Sequence, residues 1–185
     1  LVLDLSGISM ERPRDAFYQL AASLRGQDEE ELRQVLELLF FAYRDFTGEA
    51  DAVLADFGFG RAHHRAIYFI GRNPNISVSD LLGILKITKQ SLSRVLTQLI
   101  DERYVRQETD STDRRRRLLL LSDKGVALER QLTARQCRRV IGAFENAGID
   151  SVSGFRAILR AIIDPEDRHR VGRRERRRAA RRGRM

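Results

Sequence analysis

The stretch between Asn75 and Lys124 constrains the fold of this chain more than any other. Ser77 or Ser79 can cap a short helix carrying Leu81, Leu82 and Leu85. After a Lys86-Ile87 turn, Thr88 can cap another helix, with Leu92, Val95, Leu96, Leu99 and Ile100 at three- and four-residue steps. Two short helices joined by so tight a turn form a helix-turn-helix candidate. Two strand-length runs follow, Tyr104–Thr109 and Arg117–Leu121, separated by the polar stretch Asp110–Arg116. That pattern predicts a β-hairpin packed beside the two helices, a wing.

The flanks are helical in period. Ala16, Phe17, Leu20, Ala21 and Leu24 mark a short arm helix between Pro13 and Leu24. Asp28 and Glu31 resemble a capping box, and Leu32, Val35, Leu36, Leu39, Tyr43, Phe46, Val53, Leu54 and Phe57 continue as one long helix, with Gly48 the place for a bend. Within it Leu38–Tyr43 is apolar nearly all round, more than one core-facing stripe needs, so a partner subunit is expected to cover the rest. A helix is expected from about Arg61 to Gly71. Another, capped by Ser122, should run to about Ala147 with Val126, Leu132, Val140, Ile141 and Phe144 on its buried side. A last one should run from Ser151 through Val152, Phe155, Ile158, Leu159 and Ile162 to Pro165. The expectation is a mostly α protein with a small β-hairpin wing: an arm over 1–27, a long dimerisation helix over 28–57, a winged helix-turn-helix over 58–124, dimerisation helices over 125–163 and an Arg-rich, unstructured tail over 164–185.

The formal net charge of +8 suggests a polyanionic partner, but its distribution matters. Ten arginines against four acids from Asp164 onward hold six of those charges, which leaves +2 for residues 1–163. A nearly neutral body cannot bind nucleic acid by bulk charge, so specific binding has to come from a local constellation. The single Cys137 excludes an intramolecular disulfide framework and a cysteine-built zinc site, and fits a reducing compartment. Leu1–Ile8 is short, interrupted by Asp4 and without a basic leader, and no stretch reaches the roughly 18 apolar residues of a membrane span. A cytoplasmic protein without membrane partners is therefore expected.

The constellation lies at the start of the second short helix. A helix of this length fits the DNA major groove, and its first turns meet base edges. Thr88, Lys89, Gln90, Ser91, Ser93 and Arg94 supply hydroxyls, an amide and two cations there. Lys89 and Arg94 suit guanine or phosphate, and Gln90 suits adenine. Taken alone, the same residues would serve as the ordinary polar face of a packed helix. The hairpin adds Arg114, Arg115, Arg116 and Arg117 in sequence after Asp113, a run whose self-repulsion calls for phosphate and whose tip suits the electronegative minor groove.

With these residues in view, the sequence resembles the MarR (multiple antibiotic resistance) regulators. The match runs from Leu81 to Arg94, through Leu99–Val105, to Asp110–Gly125, and the similarity covers roughly residues 31–163. Its most specific parts are Asp113-x-Arg115 in the wing and Ser122-x-x-Gly125 at the next helix. The resemblance implies a DNA-binding homodimer formed by the first and last helices, with Arg115 entering the minor groove and Asp113 shaping the wing. It further implies a regulator, and a repressor in preference to an activator, on a pseudo-palindromic operator. Gln90 stands where many members have Pro, so operator preference does not carry over.

Other readings are weaker. His63 and His64 point about 100° apart on a helix and do not chelate one metal from one face, and no metal site is expected. Cys137 is expected as a buried residue of a dimer helix rather than an oxidation sensor. No phosphate-cradling glycine loop, nucleophile motif or metal-spaced set supports an enzyme. No cofactor is expected; an effector, its identity unknown, would sit between the dimer helices and the winged unit. The alternative from another class is a non-specific or architectural nucleic-acid-binding protein, driven by the basic wing and tail. A third is a protein-interaction module using the fold without DNA.

Overall fold

The structure, a computed structural model, describes residues 29–171. The described residues fall into two units, divided between Asp45 and Phe46. The expected arm helix, the Asp28 cap and the tail beyond Val171 lie outside the described residues. The order is α1 (Glu29–Ala55), α2 (Arg61–Arg72), β1 (Ile76–Ser77), α3 (Val78–Leu85), α4 (Lys89–Asp101), β2 (Val105–Thr109), β3 (Arg117–Leu121), α5 (Asp123–Ala147), α6 (Ser151–Ile162) and α7 (Pro165–Arg168). The architecture is mostly helical with a small antiparallel sheet. α1 runs unbroken through Gly48.

Each start and stop within the winged unit has a local cause. Ser77 Oγ accepts the Asp80 backbone N–H at 3.0 Å and caps α3, whereas Lys86 in the left-handed region (φ 48°) ends it. Two residues on, Thr88 Oγ1 accepts the Ser91 N–H at 3.1 Å and starts α4. Ser122 caps α5 through the Gly125 N–H at 3.1 Å and donates to the Arg103 carbonyl at 2.6 Å, which fixes α5 to the end of α4. A β-carbon on Gly125 would lie 2.1 Å from the Tyr104 carbonyl oxygen, so only glycine permits this approach.

The sheet order is β1-β3-β2. In the wing Val105 faces Leu121 and Thr109 faces Arg117, while Ile76 and Ser77 pair with Leu119 and Leu118. The core of residues 46–185 gathers Val53 and Leu54 from α1, Ile67 and Ile70 from α2, and Leu81 and Leu85 from α3. Leu92, Val95, Leu96 and Leu99 from α4, Leu119 from β3, and Leu128 and Leu132 from α5 complete it. The apolar faces of α3 and α4 are thus buried together, and their polar faces are left outward.

In the single chain the expected dimerisation helices are largely uncovered. Cys137 is exposed there, because α5 buries Gly125, Leu128 and Leu132 near its start and a residue five positions beyond Leu132 points about 140° away. Ile141 is exposed as well, and α6 has no buried residue: Phe155, Ile158, Leu159 and Ile162 all meet solvent in the single chain. One expectation changes. The stretch expected as an unstructured tail from residue 164 instead begins with an ordered turn of helix, α7, in which Pro165 occupies the first helical position.

Candidate nucleic-acid interface

α4 presents Lys89, Gln90, Ser93, Arg94 and Thr97 outward, opposite the buried Leu92, Val95, Leu96 and Leu99. These residues, with Gln98, line an open depression along the helix. Thr88 and Ser91 are engaged with each other: besides capping, Thr88 Oγ1 donates to Ser91 Oγ at 2.8 Å. Lys89, Gln90, Ser93 and Arg94 have no side-chain partner among the described residues. No acid stands in the first turn of α4, and Lys89 occupies it instead, the reverse of what the helix dipole favours. Phosphate at that end would be met by a cation and by the free N–H groups of the first turn.

Acids stand only at the other end of α4, Asp101 as its last residue and Glu102 as its C-cap. Gln98 donates to Glu102 Oε1 at 2.9 Å and meets His63 Nε2 at 2.9 Å, while His63 Nδ1 accepts the Gly60 N–H at 3.1 Å. Both His63 nitrogens are therefore occupied, and its ring stacks on Phe59 with centroids 4.8 Å apart. His64 on α2 is buried, and burial holds its pKa below 6.5 against the opposing pull of Asp51 and Glu129.

The wing tip is built by carboxylates bonding to the backbone. Asp110 accepts from the Thr112 N–H at 2.9 Å and hydroxyl at 2.7 Å, and these bonds hold its carboxyl below the usual range. Asp113 Oδ1 accepts the Arg115 N–H at 3.0 Å, and its carbonyl accepts the Arg116 N–H at 2.9 Å. This local turn sends successive arginines different ways. Arg116 reaches Asp110 at 3.8 Å and Asp80 on α3 at 3.7 Å, and Arg117 donates to Thr109 across the hairpin. Arg114 and Arg115 are exposed and have no acid partner among the described residues.

Of the residues singled out from sequence, the structure brings Lys89, Gln90, Ser93 and Arg94 to one face, leaves Arg114 and Arg115 free at the wing, and diverts Arg116 to internal ion pairs. Four arginines in a row carry no signal of that division, because one of the two acids that engage Arg116 sits on α3 and only the fold brings it there. Lys86 stands in the expected turn, but its acidic partners Asp164, Glu166 and Asp167 lie about eighty positions away and leave no local signal.

The comparisons with known proteins agree with this geometry. A family model described as MarR family matches residues 57–116. The HTH-type transcriptional regulator PetP of Rhodobacter capsulatus is 47% identical over 137 residues, covering 74% of this chain and 82% of that protein. Among solved structures, Streptococcus pneumoniae FabT in complex with DNA superposes with a TM-score of 0.63 at 18% identity, over 69% of this chain and 92% of that one. MarR itself gives a TM-score of 0.59 at 22% identity, over 79% of this chain and 95% of its own. The described residues contain no helix long and apolar enough to cross a membrane. With a relative of that identity, and with a winged fold shared with its structural neighbours, the chain belongs to the MarR family of helix-turn-helix transcriptional regulators.

Proposed function

We propose that this regulator acts as a homodimer on a pseudo-palindromic operator, each α4 entering one major groove and each wing the flanking minor groove about one helical turn apart. The observation that carries this reading is the pairing of an unpartnered Lys89, Gln90, Ser93 and Arg94 on one face of α4 with the unpartnered Arg114 and Arg115 at the wing tip. Gln90 suits a base contact, Lys89 and Arg94 suit guanine or phosphate, and Arg115 enters the minor groove, Asp113 shaping the turn that presents it. Arg116, with acid partners on both sides, positions the wing. The exposed apolar residues of α6 and of the first half of α1, Phe40 at 63% exposure and Ile158 at 61%, favour a second copy as their cover. Occupancy of the operator represses, the mode that family resemblance implies.

Selection of bound duplexes from a random pool by the purified chain tests this reading. An enriched inverted repeat, preferred over scrambled DNA by roughly a thousandfold or more, is expected. Recovery without a common motif, with binding that salt removes equally from every duplex, would make the protein a non-specific binder driven by its basic wing and tail.

A further inference from the structure

Lys86 lies in the turn of the helix-turn-helix, two residues ahead of the Thr88 cap of α4, a place from which a cation meets the DNA backbone when that helix enters a groove. Its ammonium is already occupied. Nζ stands 2.8 Å from Asp167, 3.0 Å from Glu166 and 3.5 Å from Asp164, all on or beside α7 and about eighty positions away in the chain. These bonds, Asp167 and Glu166 foremost, raise the Lys86 pKa and lower that of Asp167.

The contact is built rather than incidental. Pro165 starts the turn, and Arg168 folds back to donate to the Ile163 carbonyl at 2.9 Å and the Ala161 carbonyl at 3.0 Å, tying α7 to the end of α6. Arg170 donates to Asp167 at 2.7 Å, and its Nη2 lies 3.8 Å from where a β-carbon of Gly83 on α3 would stand. Three carboxylates thus surround one lysine, with Arg170 offsetting one more. With Arg168 in the same turn the cluster sums to zero, so its carboxylates act on Lys86 by pairing with it.

We propose that the Asp164–Asp167 turn is an autoinhibitory clasp: its carboxylates occupy Lys86 in place of a DNA phosphate and lower the affinity of the reading head. The inference rests on the DNA-binding reading above. Opening the clasp frees one cation for the backbone. Because α7 is tied to the end of α6, events along that helix bear directly on the turn of the reading head.

The test is binding of the full chain to its selected duplex across a salt series, with Asp164→Asn/Glu166→Gln/Asp167→Asn beside the unaltered protein. The neutralised variant should bind roughly three- to tenfold tighter at low salt, with a salt slope steeper by about one ion, the mark of one added phosphate contact. Adding Lys86→Gln should abolish the change in slope. Should the triple variant fail to fold, Glu166→Gln alone, at a residue 72% exposed, should move binding in the same direction by a smaller factor. Unchanged or weaker binding by the folded variant, with the unaltered chain still choosing its duplex, would overturn the clasp and leave the DNA-binding reading standing. Failure of the unaltered chain to prefer any duplex would overturn both.

Discussion

A side chain at position 125 has nowhere to go. The carbonyl oxygen of Tyr104 occupies the place of the β-carbon, and backbone on both sides is fixed by Ser122. Gly125→Ala should therefore cost on the order of 3 kcal/mol, by shifting α5 from the end of the recognition helix. Urea unfolding of the purified variant measures this; a loss under 0.5 kcal/mol would show that α5 moves freely. His64 sets a pH dependence of opposite character from a paired histidine. Burial depresses its folded-state pKa, so the unfolded chain takes up a proton that the native state resists. Stability is full above about pH 6.5, falls as the pH drops below that value, and levels off beneath the folded-state pKa. His64→Gln should flatten this part of the stability profile, and an unchanged slope would assign it to other groups.

At the scale of elements, α4 and the wing make separable contributions. Gln90→Ala should relax preference at one base position by about 1–3 kcal/mol while leaving the salt slope unchanged. Arg116→Ala should weaken binding to every duplex through a displaced wing, yet change stability by less than about 1 kcal/mol, because its ion pairs are solvent-exposed. Binding assays against single-base variants of the selected site, paired with thermal unfolding, distinguish the two. The helices of the winged unit were legible in the sequence because capping hydroxyls and apolar steps are local signals: Thr88 and Ser122 cap the helices expected of them, and of the two candidates Ser77 and Ser79 it is Ser77 that caps α3. β1 was not legible, since two residues carry no periodicity and Ile76 and Ser77 become a strand only by pairing with Leu119 and Leu118. The same holds for Lys86, whose partners lie about 80 positions away, and for the contact of Arg116 with Asp80, 36 positions away. Charge runs announce cations, not which of them the fold has already spent.

For the whole molecule, the decisive quantity is the number of chains that act together. α6 buries none of its apolar residues within the chain, and the Leu38–Tyr43 segment of α1 leaves Leu38, Phe40 and Tyr43 largely exposed. If a second copy covers α6, Ile158→Glu should lower the dimerisation free energy by about 2 kcal/mol or more with the fold retained, as sedimentation against circular dichroism would register. A monomeric unaltered chain would remove the two-headed arrangement. The central claim, that α4 and the free wing arginines read a sequence together, is tested most directly by titrating the protein and Arg115→Ala against the selected duplex and a scrambled one at two salt concentrations. The account predicts that the unaltered chain strongly prefers its selected duplex and that Arg115→Ala loses about 1–3 kcal/mol of that binding with little change on scrambled DNA. Equal losses on both duplexes, or no preference to lose, would contradict it.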